Sequence, residues 1–132
     1  MIETHLSPRM TATVTHCVTG AIDRQQAEQG AAEALQLAQH LLTQHDPINL
    51  LLDLRGVDFL GLQVHKTWSL GFACHLSLQE HVRYVVIIGD DTPQFQAERA
   101  LMETERVKFF VDVAVGQQWL AHAPRKVNPA PT

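Results

Sequence analysis

Long apolar runs are missing from this 132-residue sequence, and so is any cluster of one charge. The longest apolar stretch, residues 48–54 (INLLLDL), falls far short of the ~18–20 residues that span a bilayer. No membrane insertion is therefore expected. Ten Lys and Arg are scattered through a chain of net charge −4. A nucleic-acid partner needs clustered bases, so that class is set aside. Only two cysteines occur, Cys17 and Cys74. The opening segment MIETHLSPRM carries Glu3 and His5 and no apolar core of the secretory kind. The expectation is a cytoplasmic protein with both thiols reduced.

Catalytic signatures are equally scarce. There is no His-Glu-x-x-His, no closely paired cysteines and no Gly-x-Ser-x-Gly elbow. Eight histidines are present, but His40 and His45, like His75 and His81, lack the three- or four-residue offset that aligns side chains on a helix. Solvated surface histidines are the reading, with no metal and no cofactor. Cys74 precedes His75, yet neighbours on a helix point about 100° apart. Gly89 at a strand end is a single glycine beside Asp90 and Asp91, which repel phosphate. A tight turn with helix-capping aspartates is the better reading there.

What the sequence does hold is patterning. Residues 2–8 and 12–20 alternate with period two and are rich in β-branched side chains, which predicts two half-exposed strands. Ser7-Pro8-Arg9 supplies the turn of an antiparallel hairpin. Asp23 and Gln26 form a capping box. Ala27, Ala31, Ala34, Leu35, Ala38, Leu41 and Leu42 then recur at helical spacing with a stripe of small residues. Residues 48–54 and 83–89 (RYVVIIG) are near-continuous apolar runs, the mark of strands buried in a parallel sheet. Asp53 inside the first run needs a partner, and a capping role over the loop with Arg55 is expected.

A helix is predicted over residues 61–78, with Trp68 and Phe72 inward. Thr92-Pro93 starts another, with Phe95, Ala100 and Leu101 toward the core. Residues 107–112 form the last strand. Asp112 caps a final helix carrying Trp119 and Leu120. The order is β-β-α-β-α-β-α-β-α. Right-handed crossovers make it an α/β fold, a mixed and mostly parallel sheet of about five strands in sequential order with four helices. One domain spans residues 1–123, followed by a proline-rich disordered tail, 124–132.

The segment INLLLDLRGVDFLGL resembles the corresponding segment of the STAS superfamily, whose founders are the SpoIIAA-type anti-sigma-factor antagonists. There a hydrophobic strand ends in Asp-Leu-x-Gly-Val, followed by an aromatic turn and an Asp-Ser-x-Gly loop that opens a helix. Asp53, Leu54, Gly56, Val57 and Phe59 match. The segments VRYVVIIGDD and VKFFVDVAVGQQWL resemble the later strands and last helix. The likeness covers residues 2–123 and is greatest to the single-domain bacterial branch called SpoIIAA-like or STAS/SEC14-like. One alignment lays Phe59 over the phosphorylated serine; the other deletes that loop. Neither leaves a Ser or Thr there, and the nearest hydroxyls are Thr67 and Ser69.

The resemblance implies a non-catalytic regulatory or interaction module that binds a protein partner and lacks the serine switch. The alternative is a carrier or sensor of a small nonpolar ligand. A homodimer is compatible with either. Ligands of open α/β sheets gather outside the carboxyl ends of the strands. That rule selects Arg55, Asp58, Phe59, Leu60, Gly61 and Asp90, with His65 added by helix periodicity, as the partner- or ligand-binding rim. Phe59 is left between two roles, exposed rim or closure of the core.

Overall fold

The computed structural model describes residues 1–6, 12–61, 64 and 79–122. Seven strands occur there: β1 (Ile2–Leu6), β2 (Thr13–Val18), β3 (Gly20–Ile22), β4 (Ile48–Asp53), β5 (Val57–Phe59), β6 (Val82–Ile88) and β7 (Val107–Phe110). Three α-helices accompany them: α1 (Arg24–Leu42), α2 (Pro93–Met102) and α3 (Val113–Ala121). A 3₁₀ turn, Gln79–His81, leads into β6. The main sheet runs β1-β2-β4-β6-β7, with β1 antiparallel and every later pairing parallel. The strands thus follow chain order, as crossovers that all advance in one direction give. The helix expected over residues 61–78, the Ser7-Pro8-Arg9 turn and the tail lie outside the described residues, apart from Gly61 and Val64.

Helix α1 starts as its sequence demands. The Gln26 N–H donates to Asp23 Oδ1 at 2.8 Å, and the Gln26 side chain accepts from the Asp23 N–H at 2.9 Å. Its buried residues are Ala27, Gly30, Ala31, Ala34, Ala38 and Leu41. A glycine inside a helix costs about 1 kcal/mol relative to alanine. Gly30 is accounted for by close approach, since a Cβ there falls 2.6 Å from Ile2 Cδ1. The helix therefore sits tightly on β1 and β2.

Side chains alternate across the sheet, and each face has its own cover. Val14, Leu50 and Ile48 pack with Ala38 and Leu41 of α1. On the same face Phe109 meets Phe95 of α2 edge to face, at 5.6 Å between ring centroids. On the other face Leu51, Val86 and Ile88 pack with Leu120 of α3, joined by Trp119 and Phe110. Tyr84 and Trp119 stack edge to face at 5.3 Å. Thr92 caps α2 by accepting from the Phe95 N–H, and Asp112 caps α3 by accepting from the Ala114 N–H.

Four expectations are corrected. Strand β2 is not half-exposed: Thr13 and Thr15 are buried like Val14 and Val18. It is an interior strand, paired to β1 and β4. His16 is not a surface histidine. It is 1% exposed, and its Nδ1 lies 2.7 Å from Thr4 Oγ1. It lies on the face that α1 covers, where small helix residues leave room for an imidazole. In α2, Phe95 is buried but Ala100 and Leu101 are exposed. That helix is short, and Phe95 is its one buried residue; its far end meets β7 through the Glu103 carboxylate at the sheet edge. Finally, Asp90 and Asp91 do not cap α2, a role that falls to Thr92.

Gly116 of α3 permits another close contact: a Cβ there falls 2.6 Å from Ile88 Cδ1 and 3.0 Å from Val86 Cγ1. Gly116→Val is expected to destabilise the fold by about 1–3 kcal/mol through overpacking. A lower urea midpoint at unchanged slope checks it; an unchanged midpoint contradicts this packing.

Candidate functional site

Three parallel strands end side by side, and the connection after β4 lies across them. Asp53 is the last residue of β4, 8% exposed and paired in register with Cys17 and Ile88. Its carboxylate accepts from Arg55 Nε and from an Arg55 terminal nitrogen, both at 2.9 Å, and from the Arg55 N–H at 3.3 Å. This two-pronged pairing matches the planar guanidinium to the carboxylate. It supplies the partner that a nearly buried acid needs. The hydrogen bond also raises the Arg55 pKa above its ordinary value.

Arg55 and Gly56 form the turn. Gly56 has φ +70, a left-handed conformation that strains most other residues. Its N–H donates to Asp90 Oδ2 at 2.7 Å, and its carbonyl accepts from the Gly20 N–H at 2.9 Å. The loop is thus bonded to the segment after β6 and to β3. The Leu54 N–H completes the tie, donating to the Ile88 carbonyl at 2.8 Å.

Strand β5 then pairs in parallel with β3 as a second, two-stranded sheet, with Phe59 opposite Ile22. Phe59 is half-buried and packs against the cluster of Val18, Ile22, Ala27 and Val64. The open question about Phe59 is answered mainly toward the core. Leu60 is the apolar residue left facing out, 52% exposed. Its backbone is fixed by an N–H bond to the Ile22 carbonyl at 2.9 Å. Gly61, at φ +103, turns the chain, and its N–H donates to the Phe59 carbonyl at 2.7 Å. Asp58 is exposed between them. Arg55, Asp58, Leu60, Gly61 and Asp90 are therefore gathered at one end of the sheet, while Phe59 lies beneath. His65 lies outside the described residues.

Cys17 went unassigned by sequence reasoning, although it sits one strand over from Asp53. Its half-buried thiol has a raised pKa, first because burial disfavours the thiolate and then because Asp53 and Glu3 repel it; Arg55 acts the other way. A thiol held protonated is a poor nucleophile at neutral pH. The β3–β5 pairing was also missed. Three-residue strands have no readable period, and Gly20 was the one hint of a special backbone there.

Neutralising Asp53 removes one of the repelling charges. In a Cys74→Ser background, Asp53→Asn is expected to speed reaction of Cys17 with a disulfide reagent at pH 8 several-fold, because the larger of the two repelling charges is gone while Arg55 remains. Stopped-flow rates check this, with the same comparison in urea as the control. Equal native rates contradict the assigned electrostatics.

No protein-family model matches the sequence, and no curated protein matches it either. Among solved structures, the chain is similar to an uncharacterised protein of the DUF3478 family from Shewanella loihica, described as having a SpoIIAA-like fold. The two share 22% identity over 91% of this chain and 92% of the other, with a TM-score of 0.61. A likeness at that identity speaks to architecture, and the chain order of the strands agrees with it: the fold of this protein is SpoIIAA-like.

Proposed function

We propose that this protein is a non-catalytic SpoIIAA-like module that binds a protein partner through the rim after β4, without a phosphoserine switch there. The observation that carries the reading is Leu60, half exposed on a backbone fixed by its N–H bond to the Ile22 carbonyl. An ordered apolar residue flanked by an arginine and aspartates has the make-up of an interface: an apolar centre with a polar border. Preorganisation of the loop lowers the entropy lost on association. The residues between Leu54 and Gly61 include no hydroxyl side chain that a kinase could modify. Phe59, which one alignment sets over the serine, packs into the core and offers no modification site.

A photoreactive amino acid placed at position 60 in the producing cells tests the proposal. It is expected to yield one discrete protein adduct, whereas the same probe at Leu101, which is more exposed still at 87%, yields none. Lipid adducts at position 60, or identical patterns at both positions, contradict it. With the partner in hand, Leu60→Asp is expected to weaken binding by about 1–2 kcal/mol while shifting Tm by only a degree or two.

The switch is tested separately. Incubation with a kinase of the STAS-partner type is expected to leave residues 55–70 free of phosphate. Phosphate at Thr67 or Ser69 with altered partner affinity contradicts this reading.

A further inference from the structure

The two edges of the main sheet are finished differently. At β7 the outward backbone groups are already taken. The Val107 N–H donates to Thr104 Oγ1 at 3.1 Å, and the Val107 carbonyl accepts from the Thr104 N–H at 2.9 Å. The Phe109 N–H donates to Glu103 Oε2 at 3.1 Å, and Arg99 holds that carboxylate at 3.3 Å. Side chains that occupy an edge in this way keep other strands off it.

Strand β1 is the opposite edge. Met1 and Thr19 exchange both backbone bonds, Met1 N to Thr19 O at 2.5 Å and Thr19 N to Met1 O at 2.9 Å. Directly opposed pairs of an antiparallel ladder alternate between bonded and non-bonded. With Ile2 opposite Val18 and Thr4 opposite His16, the N–H and C=O groups of Ile2, Thr4 and Leu6 point away from β2. Among the described residues nothing meets these groups. Leu6 is 41% exposed.

We propose that β1 of a second copy of this chain pairs antiparallel with this edge, about a two-fold axis through Thr4. The strand Ile-Glu-Thr-His-Leu is complementary in kind to its own reverse. In that register Thr4 meets Thr4, and Ile2 meets Leu6 on both sides of the axis. Glu3 falls opposite position 5, which carries no acid in the sequence, so no two carboxylates are opposed. The outward groups of Ile2, Thr4 and Leu6 become the bonded pairs of the new ladder, an isologous contact that closes on itself. Helix α1 packs over β1 and β2. The two copies of α1 then lie about 10 Å apart, two strand spacings and a usual helix-packing distance.

Sedimentation equilibrium of the full chain, combined with amide hydrogen exchange, tests the dimer. At high micromolar concentration the expected mass is twice 14.8 kDa. Exchange of the Ile2, Thr4 and Leu6 amides is expected to slow with rising concentration, while amides of β7 do not change. Leu6→Pro and Leu6→Lys are each expected to weaken self-association roughly tenfold or more. The Leu6 N–H takes no part in the β1–β2 ladder, so proline there breaks no bond among the described residues of one copy. The Lys variant serves if the Pro variant folds poorly, and unfolding midpoints in dilute solution are expected to match wild type. A monomer throughout, a dimer that both variants leave intact, or concentration-dependent protection at residues 107–110 overturns the proposal.

Discussion

Strand β4 is held on both sides and covered on both faces, and the carboxyl end of the sheet is organised by that fact. Pairing to β2 and β6 uses its backbone groups. Cover from α1 on one face and α3 on the other calls for the apolar side chains of Ile48, Leu50, Leu51 and Leu52. A strand so enclosed can meet solvent only where it ends. Asp53 stands at that end, and its pairing with Arg55 lets a carboxylate remain nearly buried beside a thiol and an isoleucine.

From that point the loop inherits its shape from three strand ends. Asp90, after β6, takes the Gly56 N–H. Gly20, after β2, donates to the Gly56 carbonyl. Ile22 holds Leu60 through its carbonyl. Each tie joins segments far apart in sequence, so the loop is ordered only when the sheet is. The same arrangement decides what the site is suited to. Burial and neighbouring carboxylates raise the pKa of the Cys17 thiol, and Arg55 is engaged by Asp53. What remains available is surface: a leucine, a turn and two aspartates. These are the features on which the proposed binding role rests.

Much of this architecture was legible in the residues because period and caps report local physics. The hairpin alternation gave β1 and β2, the Asp23–Gln26 box opened α1, and unbroken apolar runs marked β4 and β6 as parallel neighbours. Asp53 announced its own need for a partner, and Arg55 supplies it. The failures have a common cause, since they concern neighbours distant in sequence. Nothing local shows that β2 is interior, and so its alternation reads as that of a half-exposed strand. Nothing local pairs Gly20–Ile22 with Val57–Phe59, and that pairing is what draws Phe59 inward and leaves Leu60 outside. The spacing of Leu101 from Phe95 fits a helix face turned to the core, yet only Phe95 of α2 is buried, and Leu101 stands in solvent.

The account rests on a loop that is built in advance of binding. Backbone ¹⁵N relaxation of the free protein measures this most directly. It predicts order parameters for Gly56 through Leu60 of about 0.8 or above, close to those of β4. Values below about 0.6 over these residues, with β4 itself rigid, would contradict it.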